Sequence, residues 1–334
     1  MVIVQSYALA VFMCVITMLC WGSWANTQKL ASKEWRFQLF YWDYSIGVLL
    51  ISLVLALTMG SMGNGGRHFL PDLQQATGSA IWSALLGGIV FNFSNILLSA
   101  AIDIAGMAVA FPVGVGLALV IGVITNYLAT PVGNASVLFT GVGGVVLAII
   151  VSAIIYGRLP ASGNKSVTKG LLLSILAGVA MGFFYRFVAA SMAADYVTPE
   201  AGKMTPYTAM VIFAVGLFIS NFVWNSIVMA KPFSGAPVTY KDYFTQGNSR
   251  LHLVGLLGGA IWGVGMCFNI IAAGAAGFAI SYGLGQGATM VASLWGVFIW
   301  KEFKNAPAGT NKYIALMFLF FFLGLGLIIA ARLA

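Results

Sequence analysis

Ten long apolar runs constrain this chain more than any other feature of its sequence. Each run is close to the ~20 residues that a helix needs to cross ~30 Å of hydrocarbon. Only 7% of the 334 residues are charged and 60% are hydrophobic, whereas a soluble protein carries about a quarter charged residues. Lipid cannot satisfy exposed backbone polar groups, and the short alternating segments of a β-barrel are absent. We therefore predict an all-α integral membrane protein.

The predicted spans are separated by short polar loops. Their approximate bounds are 7–26, 39–60, 79–101, 105–128, 136–156, 170–193, 207–229, 251–273, 278–299 and 312–333.

The lysines and arginines of the loops predict the orientation of these spans. Twelve of them follow spans 1, 5, 7 and 9, whereas the opposite side receives only Arg67, Lys203 and Arg332. Cytoplasmic loops carry the excess of positive charge, so we expect both termini to lie outside. The net charge of +8 is thus an orientation signal and predicts no nucleic-acid partner.

Two parts of the chain repeat at an offset of 171 residues. Residues 85–88 (LLGG) match 256–259 (LLGG), and 106–116 (GMAVAFPVGVG) match 277–287 (GFAISYGLGQG). Each copy then holds five spans. Because this number is odd, the second copy must have the opposite orientation in the membrane, as in many secondary transporters. We predict two inverted five-helix repeats, residues 1–160 and 161–334. The repeated glycines are expected to let neighbouring helices pack closely.

Polar side chains recur at helical spacing within several spans, which predicts a shared polar cavity. Gln286 stands out because the equivalent position of the other copy is Val115. Hydrogen bonds between helices are the alternative role for each such group, and the aromatic ones could instead lie in the interfacial belts. The predicted solute-binding residues are Trp24, Asn26, Asn92, Asn95, Arg186, Asn221, Asn225, Trp262, Tyr282 and Gln286.

Three charged residues fall in or near the spans, and such groups are functional candidates by default. Arg186 could bind a solute carbonyl or hydroxyl, with snorkelling to the interface as the alternative. Asp43 and Asp103 lie near span ends and are candidates for proton coupling or for a role at a helix end.

Enzymatic and metal chemistry have no support in the sequence. The three cysteines lie in apolar runs without metal-ligand or redox spacing. His68 and His252 form no evident ligand cluster, and the glycine-rich residues 60–67 lack the lysine of a P-loop. We expect no enzyme, no cofactor and no metal.

Several stretches resemble the drug/metabolite transporter superfamily, and within it the ureide permeases most. The matching stretches are YWDYSIGVLL, ALTMGSMG, GGIVFNFSN, VIGVITNYL, VLFTGVGG, AAGFAISYGLGQG and LWGVFIWKEF. The resemblance covers most of the chain and is loosest from residue 157 to 250. It implies proton-driven uptake of neutral, polar, ring-shaped solutes such as allantoin, uracil or xanthine. Related rhamnose–proton symporters and glucose or ribose porters share some of these motifs.

Together these observations predict a secondary transporter that works by alternating access. Its expected partners are a small neutral polar solute, protons and membrane lipid, and we expect a monomer or homodimer in the plasma (inner) membrane. A monosaccharide porter is the alternative within transport, and a non-transporting membrane scaffold is the alternative outside it.

Overall fold

The apolar runs fold into helices joined by short loops. The computed structural model describes residues 1–31, 34–105, 107–159, 167–233 and 235–334. The helices are α1 (Tyr7–Ser23), α2 (Ala25–Ala31), α3 (Phe37–Leu57), α4 (Phe69–Gln75), α5 (Gly78–Ala105), α6 (Met107–Ala129), α7 (Ala135–Gly157), α8 (Val167–Ser191), α9 (Pro206–Ala230), α10 (Tyr240–Gln246), α11 (Ser249–Ala276), α12 (Phe278–Gly285), α13 (Ala288–Leu294) and α14 (Thr310–Ala330). A π-helical turn, Trp295–Ile299, follows α13. No named β-strand occurs in the described ranges.

Eight helical segments among the described residues are long and apolar enough to cross a bilayer. This finding supports the all-α membrane fold class. The other two predicted spans, 105–128 and 278–299, fall on α6 and on the interrupted segment formed by α12, α13 and the π turn. The ten-helix layout with both termini outside stays a prediction.

Capping residues explain where several of the helices begin. Ser6 caps α1, and Asn134 and Asn248 cap α7 and α11 by accepting from the backbone N–H three residues on. Pro206 begins α9, where its missing N–H costs no helical hydrogen bond. The predicted starts of spans 1, 5, 7 and 8 lie within two residues of the observed ones.

Glycine brings α5 and α9 into backbone contact. A Cβ added to Gly88 would lie 2.0 Å from the carbonyl oxygen of Phe213, and one added to Gly216 would lie 2.3 Å from that of Leu85. Each helix thus presents a glycine to the other's backbone, as small residues do in membrane interfaces.

The crossing of α3 with α11 repeats this arrangement. A Cβ added to Gly259 would lie 2.0 Å from the carbonyl oxygen of Tyr44, and one added to Gly47 would lie 2.2 Å from that of Leu256. The structure therefore confirms a close-packing role for the second glycine of each LLGG motif.

Helix bounds follow the same offset as the repeated motifs. The pair α4 and α5 spans 69–75 and 78–105, and the pair α10 and α11 spans 240–246 and 249–276, so each bound is displaced by 171 residues. This correspondence supports two repeats. The division into residues 1–160 and 161–334, and the inversion of the second repeat, stay predictions.

Contacts between loops identify two ends of the bundle. At one end, Lys29 Nζ lies 2.8 Å from Glu302 Oε1, and Arg250 Nη1 lies 3.2 Å from Glu34 Oε1. We call this the basic end, because it gathers the loops predicted to be cytoplasmic. At the opposite end, the Tyr7 hydroxyl donates to the carbonyl oxygen of Ile329 at 2.6 Å, which places the two termini side by side.

A reporter fusion tests the predicted orientation. A reporter that is active only outside the cytoplasm, fused after Ala334, should be active, and one that is active only in the cytoplasm should be silent, because lysine and arginine hold the basic end inside. Fusions after Ala230, in the loop beyond α9, serve as the matched control and should give the opposite pair of results. A silent external reporter at Ala334 together with an active one at Ala230 would reverse the orientation.

Candidate functional site

A cavity of about 390 Å³ lies in the middle of the bundle and extends to the basic end. Its walls come from α1, α2, α5, α8, α13 and the π turn, with single residues from α6, α7 and α11. Most of the lining is apolar and aromatic, with a few polar groups, which is the usual composition of a small-molecule site. The aromatic lining residues are Trp21, Trp24, Phe91, Tyr156, Phe184, Trp262, Trp295 and Trp300.

The inner wall of the cavity is built around Trp262. The indole of Trp21 stacks against that of Trp262 with 5.8 Å between centroids and 11° between planes. The Phe91 ring lies 4.3 Å from Trp262, and the Trp21 Nε1 donates to the Trp262 carbonyl oxygen at 3.3 Å. These contacts fix flat aromatic faces on which a planar solute can stack.

Two indoles, one at the start of the π turn and one directly after it, close one side of the cavity. Trp295 Nε1 donates to Ser23 Oγ at 2.9 Å, and Trp300 Nε1 donates to Asn26 Oδ1 at 2.6 Å. The Trp300 N–H bonds the Trp295 carbonyl oxygen at 2.8 Å, five residues back. That bond brings both indoles to the same side, against α1 and α2.

An ion pair lies at the basic end of the cavity. Glu302 Oε1 accepts from Lys29 Nζ at 2.8 Å, and Glu302 Oε2 accepts from the Tyr156 hydroxyl at 3.1 Å. Lys29 Nζ also lies 4.2 Å from the centroid of the Trp300 ring. These contacts link α2 and α7 to the segment after the π turn at the point where the cavity approaches solvent.

The side-chain amide of Gln286 faces the cavity with both its oxygen and its nitrogen available for hydrogen bonds. Its side chain is 7% exposed and lines the cavity. Within the described part of the chain, neither its oxygen nor its nitrogen makes a hydrogen bond. Asn95 adds a second acceptor, because its Nδ2 donates to the Tyr41 hydroxyl at 3.0 Å while no described group donates to its oxygen.

A glycine-flanked break positions Gln286. α12 ends at Gly285 and α13 begins at Ala288. Cβ atoms added to Gly285 and Gly287 would lie 2.8 Å from Trp21 Cζ3 and 2.4 Å from Met18 Sδ. The glycines therefore let α1 approach the break. The side chain of Gln286, which lies between them, lines the cavity.

Five of the predicted solute-binding residues line this cavity, namely Trp24, Asn26, Asn95, Trp262 and Gln286. The structure brings them together from α1, α2, α5, α11 and the break after α12. Asn26 is already engaged, since its oxygen accepts from Trp300 and its Nδ2 donates to the Ser23 carbonyl oxygen.

Three predicted asparagines lie outside the cavity lining and connect helices. Asn92 Nδ2 donates to Ser220 Oγ at 2.9 Å, which links α5 to α9. Asn221 and Asn225 link α9 to α3, through Ser45 Oγ at 3.3 Å and the Gln38 carbonyl oxygen at 2.8 Å. Their geometry favours the interhelical alternative.

Tyr282 lies one helical turn before Gln286, whose backbone N–H donates to the Tyr282 carbonyl oxygen at 3.1 Å, but Tyr282 is not part of the cavity lining. The Tyr282 side chain is fully buried, and its hydroxyl lies 3.2 Å from the Ala118 carbonyl oxygen and 3.3 Å from that of Met181. Tyr282 therefore packs on α6 and α8, while Gln286 and Thr289 line the cavity.

Two of the predicted charged residues, Arg186 and Asp43, are not part of the cavity lining. Arg186 is half-buried on α8. Asp43 lies in a buried cluster near the basic end, where its Oδ1 is 2.9 Å from His252 Nδ1. The Asp103 side chain lies outside the described part of the structure.

Sequence reasoning missed two groups of residues. It assigned no role to Phe91, Phe184, Trp295 or Trp300, although the last two occur in the quoted motif LWGVFIWKEF. It also found no cluster for His252, which is 209 positions from Asp43 in sequence. No group of His, Cys, Asp and Glu suited to a metal ion occurs in the described ranges.

Comparisons with known proteins identify one family over most of the chain. The family model described as "Ureide permease" matches residues 40–162 and 158–331. Ureide permease 1 of Arabidopsis thaliana is 22% identical over 388 residues, and Ureide permease 2 is 23% identical over 397; each comparison covers 99% of both chains. Transmembrane protein 144 homolog B of Dictyostelium discoideum is 24% identical over 182 residues, covering 53% of this chain and 44% of that protein. A solved crystal structure shares the fold, with a TM-score of 0.60 at 16% identity over 98% of this chain and 99% of that one.

Proposed function

Because the chain belongs to the ureide permease family, we propose that it is a secondary transporter that imports a ureide or nucleobase such as allantoin, uracil or xanthine. The family consists of transporters of small polar solutes and not of enzymes. The proposed solute is neutral, planar and rich in alternating N–H and C=O groups.

The observation that carries this proposal is the free amide of Gln286 in an aromatic cavity. A buried amide without a partner costs about 1–3 kcal/mol, so the site favours a solute that supplies both a donor and an acceptor. A ureide ring has both along one edge. The Asn95 oxygen can accept a further N–H, and the indoles of Trp24 and Trp262 can stack on the faces of the ring.

The shape of the cavity supports transport by alternating access. The cavity extends from Trp262 in the middle of the bundle to the Lys29–Glu302 pair at the basic end. With that end in the cytoplasm, the solute is released inward. Two inverted repeats would supply the equivalent outward-facing state.

The proposed driving force is the proton gradient across the plasma membrane. Asp43 and Asp103 are the acidic residues proposed for coupling, because ionisable groups at membrane depth commonly carry protons in transporters. Monomer and homodimer are both compatible with a cavity built within one chain.

Counterflow in proteoliposomes tests the proposed function. Vesicles preloaded with unlabelled allantoin or uracil should take up the labelled compound, and empty protein-free vesicles should not. Rhamnose and glucose serve as matched controls that lack the planar amide edge, and they should exchange poorly. Exchange of either sugar without allantoin or uracil would assign the cavity to a monosaccharide. A protein that exchanges none of the four would contradict the proposed solute class.

A further inference from the structure

Three helices meet at a buried carboxylate near the basic end. The Asp43 side chain is 3% exposed, and its Oδ1 accepts from the Tyr243 hydroxyl at 2.5 Å. His252 Nδ1 lies 2.9 Å from Oδ1 and 3.1 Å from Oδ2 of the same carboxylate. Asp43 belongs to α3, Tyr243 to α10 and His252 to α11. One carboxylate therefore connects three helices.

Aromatic rings shield the carboxylate, while the imidazole reaches the solvent. Trp35 is 2% exposed and contacts both partners, with its ring centroid 5.9 Å from that of Tyr243 and 5.3 Å from that of His252. The His252 side chain is 29% exposed. His252 therefore lies between the shielded carboxylate and the solvent.

The other charged groups on the same elements have different partners. Arg250 pairs with Glu34 at 3.2 Å, and both side chains are more than half exposed. Arg36 donates to the Ala236 carbonyl oxygen, and Asp242 accepts from Thr239. Lys241 is exposed. Among the described residues, none of these groups bonds to Asp43, and His252 is the basic side chain that contacts its carboxylate.

Tyr243 acts as a fixed donor in this cluster. Burial, and then the neighbouring Asp43 carboxylate, raise the pKa of the Tyr243 hydroxyl. The phenol therefore keeps its proton over the physiological range and orients the carboxylate. Histidine, in contrast, is the side chain that most readily gains and loses a proton in that range.

We propose that Asp43 and His252 form the proton-binding site of the transporter, with Tyr243 as a positioning residue. Binding adds one proton to a carboxylate and a neutral imidazole, which gives a carboxylate–imidazolium pair. Release returns that proton to the aqueous phase. A buried carboxylate is stabilised by an adjacent cation and destabilised when the cation is lost, so the proton changes how firmly α3, α10 and α11 are held together.

The cluster is joined to the cavity through the next residue of α3. The ring of Tyr44 lies 4.9 Å from that of Trp24 and 6.4 Å from that of Trp262, and both indoles line the cavity. Trp262 also belongs to α11, the helix of His252. A movement between α3 and α11 therefore shifts two residues of the solute site. This inference rests on the proposed solute transport.

A second buried carboxylate, at the opposite end of the bundle, pairs with an arginine instead of a histidine. There, Asp72 on α4 is fully buried, with its Oδ1 3.0 Å from Arg67 Nε and its Oδ2 accepting from the Thr205 N–H at 2.7 Å. α4 corresponds to α10 at the 171-residue offset. An arginine stays protonated under all physiological conditions, so only the cluster at the basic end exchanges a proton near neutral pH.

Transport assays with single variants test the proposal. Asp43→Asn and His252→Gln should keep counterflow exchange but lose accumulation driven by an inward proton gradient, so the ratio of internal to external solute falls to about one. Arg250→Gln is the matched control, because it removes a nearby charge on α11 that does not contact Asp43, and it should accumulate solute as the wild type does. Gradient-driven accumulation by both Asp43→Asn and His252→Gln overturns the proposal.

Nitrogen NMR of labelled histidine tests the site without any solute. The chain has 2 histidines, so a His68→Gln variant assigns the His252 signal. Asp43→Asn should shift the signals of the His252 ring nitrogens, because the imidazole loses its contact with the carboxylate at 2.9 Å. Unchanged signals contradict the proton site even where transport is intact. Shifted signals in a protein that exchanges no solute support the site and contradict the proposed transport function.

Discussion

Gly88→Ala and Gly259→Ala should each destabilise the protein by about 3 kcal/mol, the upper part of the usual range for overpacking. In both cases the new methyl group would lie 2.0 Å from a backbone carbonyl oxygen of the facing helix. A side chain could rotate away, but a helix backbone can yield only if the helices separate. We expect a large drop in melting temperature in detergent and a low yield of monodisperse protein.

Gly143→Ala and Gly326→Ala are the matched controls for this prediction. Both glycines lie within helices, and an added Cβ would meet nothing within 4 Å. Alanine is the better helix former by about 1 kcal/mol, so these variants should melt at the same temperature or higher. If all four variants melt alike, the two glycine crossings do not determine stability.

Gln286→Val should weaken solute binding by ~5- to 150-fold, which corresponds to ~1–3 kcal/mol for a buried hydrogen-bonding partner that is lost. Its melting temperature without solute should stay nearly unchanged, because the wild-type amide makes no hydrogen bond to the described part of the chain. Valine also occupies the equivalent position of the other repeat, at residue 115. A binding isotherm with allantoin or uracil, and melting curves with and without it, give both quantities.

Asn225→Ala should have the opposite effects on solute binding and melting temperature. Its Nδ2 donates to the Gln38 carbonyl oxygen at 2.8 Å, and its side chain is fully buried outside the cavity lining. We expect a lower melting temperature and nearly unchanged binding. A Gln286→Val variant that binds normally but melts early would make that amide an interhelical contact, as Asn225 is, and would remove it from the solute site.

The helices were predictable because each depends on local composition and length. Asn134 and Asn248 mark helix starts by their own hydrogen bonds. The close-packing glycines were predictable because the LLGG motif occurs twice. The short helices α4 and α10 were not predicted, since neither seven-residue segment contains a long apolar run.

The site was predictable only in part, because its geometry depends on contacts between distant parts of the chain. Gln286 was found by comparing the two repeats, and it lines the cavity. Tyr282 was grouped with it because the two residues are four positions apart, but the Tyr282 ring packs on α6 and α8 outside the cavity lining. His252 was missed because its partner, Asp43, is 209 residues away. The pairing of Asp43 with His252 has no periodic signature.

The π turn at Trp295–Ile299 also affects how related sequences are aligned. A turn closed by a bond over five residues holds one residue more than an α-helical turn, and each residue of an α-helix corresponds to about 100° of rotation. In a relative without the extra residue the helix would end about 100° earlier in its rotation, so an alignment of this segment has to allow a gap of one position.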